Sequence, residues 1–152
     1  MGSVFDTLSP SRFTILGYGG LLPFLGLALL VCFGGEYRDN LAEALVGYGA
    51  VILSFVGALH WGFAMTLPAL PATERQQRLV WSVMPALIGW VAMLLPVSWG
   101  CWVLASGFTV HFWQDRKLAN FMPGWYMPMR VRLTVVASLC LVLSAIVMAF
   151  GN

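Results

Sequence analysis

Residues 41–67 read LAEALVGYGAVILSFVGALHWGFAMTL, and this stretch decides the fold. Glu43 is its one acidic residue, and the stretch contains no lysine or arginine. The run exceeds the roughly 20 apolar residues that a helix needs to cross a hydrocarbon core. It therefore predicts a membrane-spanning helix that is long enough to tilt. His60 lies inside this run, where an ionisable side chain is costly and marks a candidate functional site.

The composition of the whole chain favours the same class of protein. Of the 152 residues, 60% are hydrophobic and 9% are charged. A soluble domain averages about 25% charged residues, so this chain lacks the polar surface of a water-soluble protein. The net charge is +2, with no compact basic region, and nucleic acid is therefore not expected as a partner. The lipid bilayer is the expected environment.

Five apolar segments predict an all-α integral membrane protein, a compact bundle of five transmembrane helices in a single domain spanning residues 1–152. The predicted spans cover residues 13–33, 41–67, 79–95, 97–113 and 131–150. The third and fourth spans are joined only by the turn at Pro96–Gly100, which predicts an antiparallel hairpin. Pro23 and Pro85 predict kinks, because proline removes a backbone hydrogen bond inside a helix.

The lysines and arginines are distributed asymmetrically between the two sides of this bundle. One side holds the N-terminus and the connections between spans two and three and between spans four and five. It carries Arg12, Arg75, Arg78, Arg116, Lys117, Arg130 and Arg132, whereas the other side carries only Arg38. The positive-inside rule therefore places the N-terminus in the cytoplasm and the C-terminus outside.

Small residues recur at every fourth position of the second span, at Ala50, Ser54, Ala58 and Gly62. Residues four apart share one face of a helix, and small side chains there let a second backbone approach closely. The pattern predicts that this helix packs at the centre of the bundle through these four residues.

Aromatic and basic residues are concentrated in the connection between spans four and five, residues 117–132, KLANFMPGWYMPMRVR. Trp125 and Tyr126, beside Arg130 and Arg132, are typical of a segment in the cytoplasmic headgroup region. General anchoring at the interface and a specific anionic-lipid site are both open interpretations.

The two histidines, His60 and His111, are the candidate binding residues. Counted back from the ends of their parallel spans at ~1.5 Å per residue, both lie in the cytoplasmic half. Asp115, four residues after His111, is placed to fix that imidazole. Tryptophans near the same depth predict flat walls for a planar ligand, either a quinone or a porphyrin such as haem: Trp61, Trp81 and Trp113. The alternative is a pair of structural histidines beside interfacial tryptophans.

No catalytic or metal-binding motif accompanies this site, and we expect a protein that is not an enzyme. Cys32 and Cys101 both fall near the outer face, where unpaired thiols are favoured over a disulfide. The leading hypothesis is binding of a hydrophobic planar ligand in a cytoplasmic-half pocket. The alternatives are an accessory or assembly subunit with a membrane-protein partner or a second copy, and a transporter of small molecules or lipids.

The chain also resembles a known family of membrane proteins. The likeness lies in LGYGGLLPFLGLAL, YGAVILSFVGALHWGFAM, LVWSVMPALIGWVAMLLP and WYMPMRVRLT, within residues 16–143. These stretches resemble the domain of unknown function 3429, whose eukaryotic relatives include transmembrane protein 69. The resemblance implies a multi-pass protein of the bacterial cytoplasmic membrane. It implies no activity or ligand.

Overall fold

The computed structural model describes residues 10–151, and within them all regular structure is helical. Six α-helices follow one another: α1 (Pro10–Gly19), α2 (Leu22–Phe33), α3 (Arg38–Thr66), α4 (Ala72–Leu94), α5 (Val97–Arg116) and α6 (Tyr126–Phe150). Short 3₁₀ turns at Gly35–Tyr37 and Ala119–Phe121 lie in the connections. The predicted all-α membrane bundle is therefore confirmed.

Four segments of the described chain are long and apolar enough to cross a membrane: Ser11–Phe33, Gly35–Thr66, Ala72–Leu94 and Tyr126–Phe150. The first of them contains α1 and α2, and the helix is interrupted at Gly20 and Leu21, close to the predicted kink. The helix α5 is long enough to cross but less apolar, because its last turns carry polar residues. Its crossing of the membrane stays a prediction.

The helix α3 packs against α2, α4, α5 and α6, as expected of a central helix. The core between these helices is built from fully buried leucines on three of them, namely Leu45 and Leu53 on α3, Leu104 on α5 and Leu141 on α6. Burying one such side chain contributes about 1.5–3 kcal/mol relative to leaving it in water, but a lipid-facing leucine is already in an apolar medium. Shape complementarity therefore decides which faces meet.

The close contact between α3 and α4 shows this selection by shape. A Cβ added at Gly57 would lie 2.7 Å from the Cβ of Pro85, so the proline ring fits only against a glycine. The predicted packing face was wrong in part: Ala50 is buried and Ser54 is half-buried, but Ala58 and Gly62 are exposed. The buried series is Gly49, Leu53 and Gly57, one residue earlier, and one residue rotates the face by about 100°.

The connections at 67–71 and 117–125 lie at the same end of the bundle, which we call the basic end. There Arg75 donates hydrogen bonds to the carbonyl oxygens of Leu67, at 3.0 Å, and Leu70, at 3.2 Å. At the opposite end Arg38 donates to the carbonyl oxygen of Gly151, which joins the start of α3 to the end of α6. Cys32 and Cys101 are free thiols in the described chain.

Candidate functional site

The two histidines meet inside the bundle near the basic end. His60 on α3 and His111 on α5 are both fully buried, and their ring centroids are 4.9 Å apart. The similar depth predicted from the helix ends therefore corresponds to a direct contact between the rings.

Asp115 joins these histidines to a third helix. Its Oδ1 lies 2.8 Å from Nε2 of His60 and 3.7 Å from Nε2 of His111. Its Oδ2 accepts a hydrogen bond of 2.6 Å from Nε of Arg130 on α6. The carboxylate is fully buried and Arg130 is nearly so, and the two form a buried ion pair. Pairing is what makes such charges tolerable away from water.

Trp81 on α4 fixes the protonation of His111. The indole Nε1–H donates to Nδ1 of His111 at 3.0 Å, and the two rings lie nearly parallel, 13° apart. An indole nitrogen can only donate, so Nδ1 is unprotonated and His111 is neutral. Its remaining proton is on Nε2, directed toward Asp115.

We call His60, His111, Asp115, Trp81 and Arg130 the histidine cluster. Two of the three predicted tryptophans, Trp61 and Trp113, lie outside it. Trp61 is 50% exposed and donates to the sulfur of Met65. Trp113 is 66% exposed, on the outer side of α5. Trp81 is thus the one predicted wall residue in hydrogen-bond contact with a histidine.

The predicted lipid-interface residues differ in whether their side chains are exposed or buried. Arg132 is exposed, and its Nη1 donates to the hydroxyl of Tyr18 at 3.1 Å. Arg130 and Tyr126 are buried, so their prediction as headgroup contacts was wrong. For Arg130 the physical reason is Asp115: a buried carboxylate on the neighbouring helix requires a cation, and that attraction turns Arg130 inward.

An apolar cavity of about 550 Å³ lies between α1, α2, α3 and α6, with α5 contributing Phe108. Arg130 and Thr134 are polar residues in its wall, and neither histidine lines it. Arg130 therefore belongs both to the histidine cluster and to the cavity. The aromatic side chains in the wall include Phe13, Phe24, Phe55, Phe63, Phe108 and Trp125.

Several buried polar atoms around Arg130 have no hydrogen-bond partner in the described chain. They are Nη2 of Arg130, Oγ1 of Thr134, Nδ1 of His60 and Nε2 of His111. Buried polar atoms in folded proteins are nearly always paired with protein or with ordered water. Of these four atoms, those of Arg130 and Thr134 belong to residues of the cavity wall, and they are the candidates for contact with a further molecule. Arg130 and Thr134, at the wall of the cavity, were not identified from the sequence as binding residues.

His60, His111 and Asp115 are also the residues that could hold a metal ion, since one potential ligand atom from each lies within 4.8 Å of the others. The surrounding contacts disfavour a cation. A metal-bound histidine usually donates its other ring N–H, whereas Nδ1 of His111 accepts from Trp81. The guanidinium of Arg130 already supplies the positive charge that Asp115 needs.

Comparison with known proteins identifies one family and relatives that are named as transmembrane proteins. The family model of DUF3429, a protein of unknown function, matches residues 9–146. Transmembrane protein 69 of Xenopus tropicalis is 36% identical over 140 residues, which are 91% of this chain and 55% of that protein. Transmembrane protein 69 of Mus musculus is 28% identical over 145 residues, 94% of this chain and 58% of that protein.

The chain thus spans little more than half the length of these relatives. No solved structure matches it. Because the family model covers nearly the whole described chain, and the Xenopus relative shares over a third of its residues, this chain is a multi-pass membrane protein that belongs to the DUF3429 family.

Proposed function

We propose that this protein binds a hydrophobic, planar, quinone-like molecule in the apolar cavity beside Arg130, without chemically changing it. The observation that carries the proposal is the cavity itself, about 550 Å³ in volume, with an almost wholly apolar wall in which Arg130, Thr134 and Tyr126 carry polar groups. Ligand sites in proteins typically have volumes of roughly 300–1,000 Å³ and just this balance of apolar walls and few polar groups.

The aromatic wall favours a flat ligand. Phe13 and Trp125 stack with their centroids 5.7 Å apart, and Phe24 meets Phe108 edge to face at 5.8 Å. Aromatic rings attract one another in stacked and edge-to-face arrangements, beyond the effect of buried area. A conjugated ring in the cavity finds partners of both kinds.

The porphyrin form of the hypothesis has less support. A bis-histidine haem requires two imidazole nitrogens on opposite sides of the iron. Nε2 of His60 and Nε2 of His111 instead approach the same carboxylate oxygen, and the rings touch. Arg130, and not a histidine, is the member of the histidine cluster that reaches the ligand cavity.

The proposal includes the location and orientation of the protein. The bacterial cytoplasmic membrane is the location that the family resemblance implies. The concentration of basic residues at the basic end supports a cytoplasmic position for that end.

A binding measurement with matched variants tests the proposal. Ala137 is buried in the cavity wall, and Ala137→Phe fills the space. Val135, two residues earlier on α6, is half exposed, so Val135→Phe is the matched control. All three proteins, in dodecylmaltoside micelles, are titrated with a decyl-substituted benzoquinone, and quenching of tryptophan fluorescence is followed. Circular dichroism verifies that each variant is folded.

We expect saturable quenching in the wild-type protein and in Val135→Phe. In Ala137→Phe we expect only the weak, linear quenching of quinone dissolved in the micelle. Equal saturable quenching in Ala137→Phe would refute the cavity as the site. Absence of saturation in the wild-type protein would refute quinone-like binding altogether.

A further inference from the structure

We infer that Arg130 and Thr134 form a head-group site that accepts the oxygen of an uncharged carbonyl and discriminates against carboxylates and phosphates. This inference rests on the proposed function, because it concerns the polar end of a ligand in the same cavity. It specifies the chemical class of that ligand.

The two residues are one helical turn apart on α6 and both line the cavity. Residues at i and i+4 stack on the same face of a helix, so Arg130 and Thr134 share the face of α6 that borders the cavity. The guanidinium uses Nε to bind Asp115, while Nη2 is buried without a partner in the described chain. Oγ1 of Thr134 is likewise buried and unpaired there. Both groups can donate a hydrogen bond, and an acceptor oxygen is therefore the complementary group.

The charge balance of the histidine cluster decides between a neutral and an anionic acceptor. Arg130 and Asp115 carry one positive and one negative charge at 2.6 Å, which cancel. His111 is neutral because Nδ1 accepts from Trp81. His60 contacts Asp115 through Nε2, and its Nδ1 is buried with no partner in the described chain, so no acceptor there offsets a second ring proton.

A carboxylate or phosphate entering the cavity would therefore add an uncompensated negative charge next to Asp115. Burying such a charge in apolar surroundings costs several kcal/mol in real proteins. A carbonyl oxygen accepts the same hydrogen bonds and adds no charge. A purely hydrocarbon ligand, in contrast, would leave both donors unpaired.

Three probes of similar chain length separate these classes: decyl-benzoquinone, decylbenzene and decanoate. Their binding to the protein in micelles is compared by titration and by mutual competition. Thr134→Val removes the hydroxyl and keeps the shape of the side chain. Thr109→Val is the matched control, because the hydroxyl of Thr109 bonds to the carbonyl of Ala105 on α5. Arg130 is left intact, since its loss would strand Asp115.

The quinone is expected to bind more tightly than decanoate. Thr134→Val should weaken quinone binding by about three- to tenfold, the usual effect of one hydrogen bond, and leave decylbenzene unchanged. Thr109→Val should change neither.

Tighter binding of decanoate, or quinone binding that is insensitive to Thr134→Val, would overturn the inference about the head group and leave the proposed cavity intact. If none of the probes binds saturably, or if Ala137→Phe affects none of them, the proposed function itself fails.

Discussion

Replacing Asp115 by asparagine is the sharpest perturbation of the histidine cluster. The substitution keeps the size of the side chain and removes its negative charge. Arg130, which is 5% exposed, would then remain as a buried cation without its counter-ion. The oxygen of the new side-chain amide can accept from Arg130, but its NH₂ group then faces Nε2 of His60, which accepts only if the ring proton moves to Nδ1.

The expected loss of stability follows from this geometry. Removing one partner of a buried ion pair costs about 3–5 kcal/mol, because an uncompensated charge remains. That loss is about two to four powers of ten in the unfolding equilibrium constant. Asp39→Asn is the matched control, because Asp39 is an exposed aspartate in the first turn of α3. Removing an exposed acidic charge from the start of a helix costs at most about 1 kcal/mol.

The assay is equilibrium unfolding in mixed dodecylmaltoside and sodium dodecyl sulfate micelles, followed by far-ultraviolet circular dichroism. Arg130→Gln and the double variant Asp115→Asn/Arg130→Gln complete a double-mutant cycle. Because the double variant removes both charges, it should be more stable than the single Asp115→Asn variant. A loss under about 1 kcal/mol for Asp115→Asn, or strictly additive losses in the cycle, would refute the buried counter-ion.

Three further predictions concern packing, hydrogen bonding and orientation. Gly57→Ala should lower the unfolding free energy by about 1–3 kcal/mol, because the added Cβ overlaps the proline ring of α4. The control Gly62→Ala, whose added Cβ meets no neighbour, should be neutral or slightly stabilising when melting curves of the two variants in detergent are compared. Trp81→Phe should cost about 0.5–1.5 kcal/mol for the lost hydrogen bond, whereas Trp113→Phe should cost little in the same unfolding assay. Lys117→Cys, made in a cysteine-free background, should react with an impermeant maleimide only from the cytoplasmic side. Labelling from the outside would show that the orientation is the opposite of the predicted one.

The helical architecture could be predicted because a membrane leaves few choices for an apolar chain. Backbone groups in a hydrocarbon core must pair within the segment, so a long apolar run becomes a helix. The predicted span 41–67 corresponds to α3, Arg38–Thr66, within three residues at each end. The start of α4 could not be predicted from hydropathy, because Ala72–Arg78 is polar although it is helical. Hydropathy indicates burial in lipid and does not indicate helix formation.

Depth could be predicted for the histidines, but rotation about the helix axis was neglected for the tryptophans. Trp113 follows His111 by two residues, which rotates it by about 200°, and side chains so related do not face each other. Its exposed position could therefore have been derived from the sequence. Trp81 lies on another helix, and its contact with His111 depends on how α4 and α5 pack, which no local pattern contains.

Arg130 shows why interfacial patterns mislead. Its neighbours in sequence are aromatic and basic, as at a headgroup boundary, yet its side chain points into the bundle. The signal that could have revealed this is its spacing from Thr134, Ala137 and Leu141, at four, seven and eleven residues, which defines one face of α6. All four are buried. An arginine in register with core residues needs a buried carboxylate, and Asp115 is an acidic residue at matching depth on the adjacent helix.

The same register explains how His60, the residue that first marks the sequence as unusual, relates to the cavity. An unpaired arginine in a membrane helix extends toward water or draws water in. Asp115 holds Nε of Arg130 at 2.6 Å, and His60 holds the other oxygen of that carboxylate at 2.8 Å. Each contact restricts the next, so the guanidinium stays at the wall of the apolar cavity. Its positive charge is cancelled by the negative charge of Asp115. On the proposed function His60 is therefore a positioning residue: it acts on the ligand through Asp115 and Arg130, two hydrogen bonds away.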